Sequence, residues 1–135
     1  MNIQKVLLGT VAGFVGLFGL GLIIYVLLAP DLNFTMEGQE GMLRDYFPGI
    51  ITFEILFALL TTLIVGHWAG IKSFGEGLKI GAVIGLLLGL CTSLWVYSTT
   101  TVFEGGLIWW YAVTFTIRFA VAGGLIGWVF GRGTE

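Results

Sequence analysis

Four apolar stretches, Val6–Ala29, Gly49–His67, Leu78–Ser98 and Leu107–Phe130, fill most of this 135-residue chain, and away from their ends they carry just two charged side chains, Glu54 and Arg118. Each stretch is about 19 to 24 residues long, and at a rise of about 1.5 Å per residue each reaches across a hydrocarbon core of roughly 30 Å. Lipid offers no partner to backbone N–H and C=O groups, so only helices and closed barrels cross it. The stretches lack the alternating apolar and polar pattern of barrel strands. The sequence therefore predicts an all-α fold: an integral membrane four-helix bundle with glycine-rich helix packing, one transmembrane domain over 1–135.

Composition agrees, because hydrophobic residues make up 57% and charged residues only 10%, with a mean hydropathy of +1.00, against about one quarter charged in a soluble domain. The spans leave no length for a soluble catalytic domain. The first stretch exceeds the roughly 7 to 15 residues of a signal-peptide core, lacks an A-x-A cleavage site and ends at Pro30, so it is expected to persist as a helix.

Lysine and arginine between spans set the orientation, because cytoplasmic loops carry their excess. Lys5, Lys72, Lys79 and Arg132 fall on one side; Arg44 alone falls on the other, among Asp31, Glu37, Glu40, Asp45 and Glu104. Both termini are expected to be cytoplasmic, in the multi-pass topology of a bacterial inner (plasma) membrane protein. Trp68 and Trp128 then mark the inner boundary, while Tyr25, Tyr46, Trp95, Tyr97, Trp109, Trp110 and Tyr111 crowd the outer one as an interfacial belt. The connection from Pro30 to Pro48 mixes acids with large apolar residues, which suits either a surface-lying amphipathic segment or a solvated loop. Its Asn33-Phe34-Thr35 matches a glycosylation sequon, a motif short enough to arise by chance.

Glycine recurs at every fourth position as Gly77, Gly81, Gly85 and Gly89 in the third span and as Gly123, Gly127 and Gly131 in the fourth. The first span adds Gly9, Gly13, Gly16 and Gly19. Small residues at this spacing let membrane helices approach closely, so these are predicted packing faces. All three stripes fall mainly in the cytoplasmic half, whereas Thr52, Thr92, Ser93, Thr114 and Thr116 lie in the outer half. A base sealed by glycine beneath a splayed outer half would hold an outward-facing cavity lined by Thr52, Thr92, Ser93 and Thr114.

A charge inside a bilayer costs about 2.5 to 3.5 kcal/mol on the mildest scale, so Glu54 and Arg118 should face protein or water. They are expected about 9 Å and 16 Å below the outer ends of their helices. That difference lies within reach of an arginine stem. Together they form a candidate intramembrane charge pair, either a structural clamp or a proton-sensitive site. Arg118 points almost opposite to the glycine stripe of its own helix, so the fourth helix needs two protein-facing sides. A second subunit or a partner would supply one of them, unless a single bundle supplies both.

Other chemistry finds little support. Cys91 is the one cysteine, excluding a disulfide or CxxC motif within a chain, and is expected to be a small buried hydrophobe. His67 ends the second span, where headgroups and water meet it. One His and one Cys cannot make a metal site within a single chain, and no Ser or Thr has a histidine at similar depth to activate it. Neither catalytic residues nor cofactors are expected, and the few cations form no nucleic-acid-binding patch.

From Trp68 to the C-terminus the chain resembles a group of small four-span bacterial membrane proteins classed as domains of unknown function. The stretches HWAGIKSFGEGLKIGAVIGLLLGL and AVAGGLIGWVFGR and the exit from Tyr97 to Thr101 carry the resemblance. The first span, with Tyr25 before Leu27-Leu28-Ala29-Pro30-Asp31, is similar too. The resemblance implies the fold and a bacterial origin, and brings no activity with it. Two roles follow as expectations. One is a non-enzymatic subunit of a homo-oligomer or larger membrane complex, with membrane lipids, its own copies or another membrane protein as partners. The other is a small transporter or channel whose outward cavity contains Glu54 and Arg118; binding of a lipid or hydrophobic ligand between splayed outer halves is a third, weaker reading.

Overall fold

A computed structural model describes residues 2–28, 46–101 and 105–132. Four helices in it are long and apolar enough to cross a membrane: α1 (Ile3–Leu28), α2 (Phe47–Trp68), α3 (Phe74–Thr99) and α4 (Gly105–Gly131). No strand occurs among the described residues. Most of the Pro30–Pro48 connection, its sequon, and Asp31, Glu37, Glu40, Arg44, Asp45 and Glu104 lie outside the described residues.

Local signals explain where the helices begin. Asn2 caps α1, its side chain accepting from the Lys5 N–H at 3.3 Å, and Pro48 occupies the first turn of α2, where its missing N–H is no loss. Ser73 accepts from the Glu76 N–H at 3.3 Å while its hydroxyl meets the Glu76 carboxylate at 3.1 Å. The spacing is the S-x-x-E of a helix start, with both bonds made through the Ser73 hydroxyl. Between α2 and α3, Gly70 adopts φ +64°, a conformation that glycine reaches without the steric penalty of a Cβ. The last turns of α1 (Ile23–Leu28) and α2 (Leu63–Trp68) are wound as π-helix.

The central helix is α4, the most buried of the four spans. One flank carries α3 along its length, the other carries α1, and α2 leans on α1 while touching α4 more lightly. Leu17, Ala58, Phe115, Phe119 and Ala122 form the core where α1, α2 and α4 meet. The Phe57 ring stands edge-on to Phe119 and Phe115, with centroids 5.4 Å and 6.4 Å away.

Along the α3–α4 seam the backbones touch. A Cβ added to Gly77, Gly81 or Gly85 would collide with the carbonyl oxygen of Gly123, Phe119 or Phe115 in turn, and one on Gly89 would sit 2.9 Å from the Ala112 Cα. Reciprocally, Gly123, Gly127 and Gly131 lie against the carbonyls of Gly77, Ser73 and Lys72. The buried face of α3 runs from Gly77 as far as Ser93, so α3 and α4 stay in contact beyond the glycine positions. On α1, Cβ atoms at Gly9, Gly13 and Gly16 would approach Thr62 at 2.8 Å, Ile126 at 3.0 Å and Ala122 at 3.1 Å respectively, whereas Gly19 has nothing within 4 Å. Gly19 therefore does not belong to the packing stripe.

The two protein-facing sides of α4 are both filled from within the chain, glycine against α3 and Arg118 against α1 and α2, which is the single-bundle alternative. One expectation needs correcting: Cys91 is exposed rather than buried. The reason is that α3 packs chiefly on α4, so only its glycine face is covered, and Cys91 lies about 200° around the helix from Gly89.

Candidate functional site

Glu54 shares the buried face of α2 with Ala58, Thr61 and Val65, a spacing of three and four residues that defines one helical side. Arg118 shares its face of α4 with Thr114, Phe115 and Ala122. Counted from the helix starts, Glu54 lies about 10 Å deep and Arg118 about 20 Å. The arginine stem spans the difference, and an Arg118 Nη2 donates to Glu54 Oε1 in an ion pair.

That pair is wrapped on several sides. Arg118 Nε donates to the Leu17 carbonyl oxygen at 3.0 Å, and the guanidinium carbon lies 5.4 Å from the Tyr25 ring centroid and 5.7 Å from that of Phe115. Gly21 supplies the space, since a Cβ there would stand 3.1 Å from Nη2 and 3.3 Å from Cζ. Only 3% of Arg118 and 6% of Glu54 is exposed. The two charges cancel within the protein, the condition under which ionisable groups are tolerated at membrane depth.

One turn before Arg118, toward the start of α4, Thr114 donates to the Tyr111 carbonyl oxygen at 3.2 Å. The Tyr25 and Thr114 hydroxyls lie 3.1 Å apart and share a hydrogen bond in which either can donate. Tyr25 and Tyr111 are half-buried, with ring centroids 6.4 Å apart. Trp95 and Trp109 do stand outward, 68% and 69% exposed.

The four hydroxyls expected to line one cavity occupy different surroundings. Thr52 and Thr92 are exposed and donate to the carbonyls of Pro48 at 2.8 Å and Leu88 at 2.7 Å. Ser93 is buried in the α3–α4 seam and donates to the Gly89 carbonyl. Thr114 alone stands beside the ion pair. In each case the side chain returns its proton to a carbonyl three or four residues back on its own helix, so lipid-facing placement leaves no donor stranded. His67 is exposed at the end of α2, and no cluster of three metal-ligating residues exists among the described residues.

Three contributors to the site escaped the sequence reading: the Leu17 carbonyl, Gly21 and Tyr25. Their signal was present, because Leu17, Gly21 and Tyr25 follow one another at four-residue intervals along one face of α1. A carbonyl, a gap and an aromatic ring in a row make a cradle for a guanidinium. No protein-family model, curated protein or solved structure matches the chain.

Proposed function

We propose that this chain is a non-enzymatic, multi-pass protein of the bacterial inner membrane, with both termini cytoplasmic, serving as a structural or assembly subunit of a homo-oligomer or a larger membrane complex. The observation that carries the structural, non-transport side of this reading is the internal engagement of Arg118, whose charge, stem and ring contacts are taken up by Glu54, Leu17, Tyr25 and Phe115. A charge pair so enclosed acts as a clamp between helices. What the chain offers its surroundings is an apolar exterior, including Val83, Leu87 and Leu94 on the free side of α3, suited to lipid and to other membrane helices. The resemblance to small four-span bacterial proteins supports the same setting. Extraction of the native protein in mild detergent, followed by mass measurement, tests the reading. A particle heavier than one 14.6 kDa chain with its detergent is expected, and a strictly monomeric, partner-free particle overturns it.

A transporter or channel reading rests on a different observation, the presence of ionisable groups at membrane depth, which often marks a transport path. It requires water to reach Glu54 and Arg118. Proteoliposome flux that depends on both residues would favour it over the assembly reading.

A further inference from the structure

The start of α1 and the end of α4 flank a cleft of about 390 Å³ whose lining includes Lys5, Leu8, Trp128, Val129 and Arg132. We propose that this cleft binds the phosphate of an anionic phospholipid headgroup. The proposal goes beyond the assembly role above and shares with it only the premise that the four helices span a bilayer.

The cleft holds two cations from opposite ends of the sequence and, among the described residues, no carboxylate in its lining. Among the described residues, neither cation is ion-paired with an acid. Both are held in place by other means. The Arg132 guanidinium lies 3.4 Å above the Trp128 ring, a stacking that occupies its face and leaves its N–H edge available for an oxyanion. Lys5 Nζ donates to the Phe130 carbonyl oxygen at 3.3 Å, which uses one of the three protons of an ammonium group and draws it toward α4. Phosphate matches this arrangement in charge and in its several acceptor oxygens.

Position and lining favour a lipid as the source of that phosphate. The cleft lies where two membrane-crossing helices end, with half-exposed Trp128 beside it, at the depth where headgroups sit. Leu8 and Val129 in its wall offer an apolar surface to a glycerol backbone and acyl chain. Basic pockets between membrane helices at the cytoplasmic face take anionic headgroups by this combination of charge and greasy wall.

The test uses the full chain, stripped of lipid in detergent, with native mass spectrometry and thermal shift as readouts. Phosphatidylglycerol is expected to stay bound and to raise the melting temperature where phosphatidylcholine does neither. Near a membrane surface each basic residue is worth about a fivefold change in binding. Lys5→Gln and Arg132→Gln should therefore each weaken phosphatidylglycerol binding by about that factor, and the double variant by about 25-fold if the two act independently. Lys79→Gln, which alters an exposed cation outside the cleft, should change nothing. Equal losses from Lys79→Gln and Arg132→Gln, or equal binding of the two lipids, would overturn the site. Millimolar inorganic phosphate alone separates the two sources: failure to displace the lipid supports a headgroup site, whereas full displacement together with the same thermal shift makes free phosphate the ligand and overturns the lipid assignment.

Discussion

Arg118 and Glu54, 64 positions apart in the chain, close an ion pair that buries both side chains between α4 and α2. Contact between these two helices is otherwise light, with the Phe57 ring edge-on to Phe115 and Phe119 as its main apolar part. The Leu17 carbonyl adds α1 to the same knot. Three helices are thus joined at one guanidinium.

Removing one partner of a buried ion pair leaves the other charge uncompensated, which destabilises by about 3 to 5 kcal/mol. Glu54→Gln and Arg118→Gln should each lower stability by that order in a detergent unfolding titration. The double variant, with no charge left to strand, should recover part of the loss. Additive losses in the double variant would show that the two residues do not act as a pair.

The α3–α4 seam makes a contrast within one residue type. Gly81→Ala drives a Cβ into the Phe119 carbonyl and should destabilise by about 1 to 3 kcal/mol, the usual range for overpacking. Gly19→Ala meets nothing within 4 Å and should be neutral, or more stable by up to about 1 kcal/mol from helix propensity. Parallel thermal melts of the two variants check this, and equal losses would contradict backbone contact as the organising feature of the seam.

Tyr25 and Thr114 join α1 to α4 through their hydroxyls at 3.1 Å. Tyr25→Phe and Thr114→Val in a double-mutant cycle should show a coupling near the average of about 0.6 kcal/mol found for hydrogen bonds between membrane helices. No measurable coupling would mean that the two hydroxyls are satisfied separately.

Accessibility separates a lipid-facing α3 from one that borders an aqueous cavity. With Cys91 replaced by alanine, a cysteine introduced as Thr92→Cys should resist a membrane-impermeant thiol reagent applied from outside, because Thr92 is exposed on α3 and bonded to its own Leu88 carbonyl. Rapid labelling from outside would favour the outward cavity over a lipid-facing α3.

Much of this architecture is written in local properties of the chain. Whether a segment crosses a bilayer depends on its own length and apolarity, so the four spans were legible, with the ends drawn a few residues short because helix caps such as Asn2 and Ser73 lie outside the apolar runs. The cost of a buried charge likewise singled out Glu54 and Arg118, and four-residue spacing singled out Gly77 to Gly89 and Gly123 to Gly131. Each of these readings needs one helix at a time.

Length and apolarity were thus enough to read the four spans to within a few residues, and the cost of charge in lipid was enough to pick out Glu54 and Arg118, because lipid acts on each span separately. Only the tertiary structure decided that α4 is central, that α3 covers its glycine face while α1 and α2 cover Arg118, that Cys91 and Thr92 turn outward, and that Leu17, Gly21 and Tyr25 cradle the guanidinium. Periodicity gives the angle at which a face lies but not the helix that meets it. Where leucine and lipid are equally apolar, hydrophobicity cannot choose among partners; close backbone fit at glycine and the single partner for each buried charge make that choice.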